Sequence, residues 1–270
     1  MRRLILCLIV MFGVSAIHAQ NRSSKRLEGK IYVLTLYITE STFRKEDAER
    51  FNRRVLYAED FLSKQAARYG KRLEFQNGFF GITNPIRFDY IPDNSPKWER
   101  DILLRAYKKI GYNSIEQFHD WVRKNTDATQ CVEIVVVNKD SNEQSGISVL
   151  YTADSDDRYS VVFMGETFWS THYHWYSNTI AHEMLHNYGA EDLYESKNSY
   201  GPKFPSERFK QLVYANFTRE GGAKYDDIMT NQTGEADIMI YNNVGGLTAW
   251  LIGWTDRYEP WYKEFINARK

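Results

Sequence analysis

Apolar and polar positions along this chain follow two periods, and the changes between them mark its elements. Residues 30–40, KIYVLTLYITE, are dense in β-branched and aromatic side chains and predict a strand. In the stretch that follows, Phe51, Val55, Ala58, Leu62, Ala66 and Tyr69 recur at steps of three and four. That spacing predicts an amphipathic helix, closed by Gly70. RLEFQNGFFG reads as a second strand and turn, and residues 84–100, with Pro85, Pro92 and Pro96, as a loop. A helical pattern covers residues 98–124, and short strands are predicted at 133–138, 147–151 and 160–164. A further helix is expected over 176–188. The order of strand, helix, strands and helix predicts an α/β sheet with a helix behind it.

After Tyr194 the pattern changes. ESKNSYGPKFP is a loop, and residues 206–217 read as a short helix capped by Ser206. Glycine-rich turns follow, then an aromatic end, LTAWLIGWTDRYEPWYKEF. Apart from the tripeptide DIM, which occurs at 227–229 and again at 237–239, no repeat, charge run or low-complexity tract interrupts the chain. The whole predicts one domain split by a cleft, with residues 30–190 as a sheet-and-helix half and 191–270 as a smaller, irregular half.

Composition changes this picture in three places. Arg2 and Arg3 precede the apolar run Leu4 to Val14 and the small-residue end AIHAQ, the pattern of a secretory signal peptide, expected to be cut after Ala19. A secreted or periplasmic destination follows. Lysine plus arginine equals aspartate plus glutamate at 35 each, which gives no electrostatic draw toward nucleic acid or an anionic membrane. Of the two cysteines, Cys7 leaves with the signal. Cys131 stays alone at the start of an apolar run and is expected to be a buried packing residue in a domain without disulfides.

Candidate chemistry is concentrated in AHEMLHNYGAEDLY, residues 181–194. Positions four apart share a helix face, so His182 and His186 can meet one ion. Glu183 lies one step round, where its carboxylate can reach a water on that ion without ligating it. Gly189 can take the left-handed conformation that ends a helix and reverses the chain, and Asp192 is then placed to return to the metal. Two further acids compete to complete the set. Glu191 is one residue off that spacing, and Glu207 lies on the short helix predicted further on. The set His182, His186 and Asp192 suits zinc, which takes three protein ligands and keeps one position open when it does chemistry.

HEMLHNYGAED resembles the extended zinc signature of the metzincin peptidases, with aspartate in place of the usual third histidine. That variant is similar to snapalysins and to the immune inhibitor A family. GAEDLY, YDDIM and GLTAWLIGW resemble further segments of the latter family. One departure stands out: its Gly-Leu-Pro-Asp is Gly-Ala-Glu-Asp here, and the loop loses the stiffness of proline.

The resemblance implies an α/β (α+β) fold, a twisted mixed sheet over the zinc helix, and a methionine turn beneath the metal. It also implies a secreted zinc endopeptidase acting on protein or peptide, in which Glu183 serves as general base. Met229 is the expected turn, with Met239, followed by Tyr241, as its competitor. Tyr241 or His174 could assist the oxyanion. SGISVLYT could be an edge strand along which a peptide lies. No nucleic acid, membrane or partner chain is expected, and the protein is read as a monomer. A non-catalytic binding protein, or a zinc hydrolase of another amide such as peptidoglycan stems, would be the alternatives.

Overall fold

Nine successive buried positions, Ile31 to Thr39, explain why one strand organises the rest. In the computed structural model this strand, β1 (Gly29–Thr39), lies inside a six-stranded sheet with apolar residues on both faces. The structure describes residues 26–41, 45–91, 98–138, 147–150, 159–164, 175–191, 193, 227–230 and 243–267. The expected signal peptide, the helix at 206–217 and the residues His174, Asp192, Glu207, Met239 and Tyr241 lie outside them.

After β1 come α1 (Lys45–Arg68), β2 (Leu73–Phe80), β3 (Ile86–Arg87), α2 (Trp98–Lys109) and α3 (Ile115–Asn125). Then follow β4 (Gln130–Asn138), β5 (Ile147–Leu150), β6 (Tyr159–Met164) and α4 (Trp175–His186). A 3₁₀ turn (Ile228–Thr230), α5 (Gly246–Leu251) and α6 (Pro260–Asn267) complete the described elements. The sheet order is β2-β1-β4-β6-β5, with β3 pairing the end of β1. Every pairing is parallel except that of β5 with β6. The fold is therefore a mixed α/β arrangement on a mostly parallel open sheet. Its central strands read as continuous apolar runs because both faces are covered.

Strand alternation divides the core. Ile31, Val33 and Tyr37 of β1, with Val132, Ile134 and Val136 of β4, face α1 and α4. Leu34, Leu36 and Ile38, with Val135 and Val137, face α2 and α3. On α1 the buried stripe Phe51, Val55, Ala58, Leu62 and Ala66 is the one the spacing predicts. Residues of the C-terminal part, among them Val244, Leu247, Trp250 and Trp254, join the cluster of α1 and α4. Leu27 N–H donates to Ile252 O at 3.2 Å, and the Trp254 indole donates to Leu27 O at 2.6 Å. The approach to β1 is thereby tied to the turn after α5.

One predicted element divides in two. The pattern over 98–124 continues across residues 110–114, but the backbone does not. Gly111 takes a φ of 99°, and Tyr112 N–H closes back on Tyr107 O at 2.9 Å. Ser114 then starts α3 by accepting from Gln117 N–H at 3.1 Å, a cap worth about 1 kcal/mol.

Candidate metal centre

Helix α4 packs against α1, and its end is buried all round. Ile180, Ala181, Met184 and Leu185 enter the core, while His182, Glu183 and His186 are 5%, 6% and 2% exposed. Polar groups this deep must be satisfied, and the backbone around them does much of this. His182 Nδ1 donates to Ile228 O at 3.0 Å, and His186 Nδ1 donates to Ala190 O at 2.8 Å.

A carbonyl only accepts, so each Nδ1 carries a proton, and a ring in its neutral form keeps its lone pair on Nε2. These two Nε2 atoms are 3.1 Å apart, with the rings at 81° to each other. Two lone pairs facing each other inside a core repel unless something positive lies between them. Two zinc-bound imidazoles at tetrahedral angles would hold their nitrogens about 3.3 Å apart. Glu183 Oε2 lies 4.0 Å from His186 Nε2, beside the pair. Ligand atoms of all three side chains fall within 4.8 Å of one another. The donor set fits a divalent metal, and the carbonyl bonds to Nδ1 are the usual way a ligating imidazole is oriented.

The turn after α4 gives His186 its partner. Gly189 has a φ of 95°, a left-handed conformation that a β-carbon would oppose. Ala190 N–H bonds back to Leu185 O at 3.2 Å, and the reversed chain brings the Ala190 carbonyl under His186. Three residues on, Leu193 N–H donates to Met229 O at 2.8 Å. The segment between is thus anchored on both sides next to the histidines. Asp192 falls within it but lies outside the described residues, and Glu191 is partly exposed.

His182 depends on a second segment. Met229 is fully buried in the 3₁₀ turn, and Asp227 shapes that turn. Asp227 Oδ1 accepts from Met229 N–H at 2.9 Å and Oδ2 from Gly245 N–H at 2.7 Å. Ile228 N–H donates to Asn243 O at 2.8 Å. Burial pushes the Asp227 carboxyl up to about 6, against the opposing pull of those backbone donors. Its clamp role was not read from the sequence, although YDDIM carries the signal: an acid two residues before the methionine can accept its amide.

Of the sequence-predicted site, the structure brings His182, Glu183 and His186 together, and buries Met229 in the turn whose Ile228 carbonyl accepts from His182. Cys131 differs from expectation: it is partly exposed rather than buried. It lies with His119 and Glu133 in a second cluster on the other face of the sheet.

No family model matches the chain, and no curated protein does. Among solved structures, wild-type OgpA from Akkermansia muciniphila superposes with a TM-score of 0.44 at 12% identity, covering 87% of this chain and 63% of that one. Catalytic inactive OgpA in complex with an O-glycopeptide substrate, glycodrosocin, superposes at 0.36 with 11% identity, over 86% of this chain and 60% of that one. The chain thus spans less than two thirds of OgpA. A superposition this loose transfers nothing to it.

Proposed function

We propose that this chain is a zinc-dependent endopeptidase. The observation that carries the reading is the histidine pair, with Nδ1 protons held by backbone carbonyls and Nε2 lone pairs converging at 3.1 Å beside the Glu183 carboxylate. His182 and His186 would hold the ion, with Asp192 as third ligand. The anchoring of Ala190 and Leu193 on either side of Asp192 supports that assignment over Glu207. When bound, zinc supplies Lewis acidity, which acidifies water and polarises a carbonyl.

The chain's own residues do the rest. Glu183 takes a proton from the attacking water and delivers it to the leaving amine. Its burial keeps bulk water from competing for that proton. Gly189 sets the reversal that orients His186, and Asp227 holds the turn that orients His182. The substrate is a protein or peptide, and β5, an antiparallel edge strand packed near α4, is where an extended backbone would add. No helix among the described residues is long and apolar enough to cross a membrane. The protein is read as a secreted or periplasmic monomer.

The test joins metal analysis to hydrolysis of casein. Purified protein should contain zinc and cleave casein, lose activity to a chelator, and recover it with zinc. His182→Ala should abolish cleavage. Folded, metal-loaded protein inert toward casein and other peptides would sink the reading.

A further inference from the structure

We propose that His119, Cys131 and Glu133 form a second metal site, for a thiophilic divalent cation of the zinc class, separate from the histidine pair. The three come from α3 and β4 and offer one nitrogen, one sulfur and one oxygen, all within 4.8 Å of one another. Cys131 and Glu133 stand two apart on β4 and so share a face. That face carries Val135 and Val137 toward α2 and α3, opposite the face that meets α4. The sheet therefore separates this cluster from His182 and His186.

The cluster has more than proximity. His119 Nε2 meets Glu133 Oε1 at 2.5 Å, and the Tyr107 hydroxyl donates to the same oxygen at 3.1 Å. Side-chain exposure is 18% for His119 and 6% for Glu133. Tyr107 thus stands behind the carboxylate as an outer partner does at a metal site. The Phe118 ring lies beside His119, and Tyr32 pairs in register with Cys131. An imidazole and a carboxylate alone would make an ion pair. The thiol adds nothing to such a pair, yet it lies within reach of both.

A mixed sulfur, nitrogen and oxygen set selects zinc-like ions over calcium or magnesium, which take oxygen ligands. Around tetrahedral zinc the ligand atoms stand about 3.4–3.6 Å apart, so small side-chain rotations close the set. Loading releases the Cys131 thiol proton to solvent, and His119 binds through a ring nitrogen that carries no proton. The bound ion would tie α3 to the start of β4.

Cobalt distinguishes the two sites, because only this one holds a sulfur. Full-length protein freed of metal and titrated with Co²⁺ should develop a near-ultraviolet thiolate-to-cobalt charge-transfer band. The band should vanish in Cys131→Ser and persist in His182→Ala. In His119→Ala and Glu133→Gln the cobalt affinity should fall about tenfold or more. In parallel, zinc should slow alkylation of Cys131 in the wild type, followed by mass spectrometry of its peptide; this holds even if a variant fails to fold. Absence of the band in folded wild type, a band indifferent to both His119→Ala and Glu133→Gln, or an alkylation rate unchanged by zinc would each overturn the proposal.

Discussion

Glu59 is a carboxyl built into the wrong surroundings for a charge. It is 6% exposed on α1 and accepts from Asn77 Nδ2 at 3.0 Å through Oε2. Its other oxygen and the Asn77 side-chain oxygen are both buried acceptors with no hydrogen-bond donor among the described residues. Protonation supplies the missing donor, and burial pushes the carboxyl from 4.5 up to about 7. A folded-state value above the unfolded one means the native state holds the proton longer. Stability is therefore greatest at low pH, falls as pH rises from about 4.5 to about 7, and is level above.

The full difference amounts to about 3 kcal/mol, of which about 2.5 kcal/mol accrues between pH 5 and pH 8. Glu59→Gln mimics the protonated acid, since its amide can both accept from Asn77 and donate to it. Urea unfolding of the two proteins at pH 5 and pH 8 reads the effect, and subtracting them cancels every other titrating group. The variant should be slightly more stable at pH 5 and more stable by about 2–3 kcal/mol at pH 8. Parallel stability curves across this range would refute the reasoning, as would a variant weaker at pH 8.

Glu183→Gln should keep its metal and lose about 10²- to 10⁴-fold in casein turnover, since a general base is removed and no ligand; parallel zinc and rate measurements check it. In a Cys131→Ser background, Asp192→Ala should sharply weaken zinc binding and Glu207→Ala should not; equilibrium dialysis decides, and the opposite result would make Glu207 the ligand. Asp227→Asn puts an amide group against one of two backbone N–H donors. It should cost about 1–3 kcal/mol in denaturation and weaken zinc binding at the histidine pair. Gly189→Ala must hold a β-carbon at a φ of 95°, and thermal unfolding should show a loss of about 1–2 kcal/mol.

Local signals made much of this legible. The periods of β1 and α1 are written in neighbouring residues, and so is the spacing of His182, Glu183 and His186. The positive φ of Gly189 followed from its place after the helix. The split between α2 and α3 was missed because the apolar pattern continues while Gly111 and Ser114 interrupt the backbone. The strand order was beyond reach, since it depends on which side of β1 each crossover lands. The acceptors that orient the two imidazoles are the carbonyls of Ile228 and Ala190, and a carbonyl leaves no mark on the residue's identity. His119 and Glu133 were passed over for a similar reason: no motif spacing links a helix to the strand that follows it.

The chain is synthesised in one direction, and the histidine pair is completed by segments made after it. His182 and His186 emerge with a helix whose packing partner, α1, already exists, yet the carbonyl that fixes the His182 tautomer belongs to Ile228. The turn holding Ile228 is itself closed by Asn243 and Gly245. A nascent chain that has passed His186 but not Gly245 can form much of its sheet while one imidazole still lacks its anchor. The orientation of His182 thus waits on a segment 46 residues further along the chain, and a fragment ending before Gly245 would carry the motif without the contacts that hold that segment.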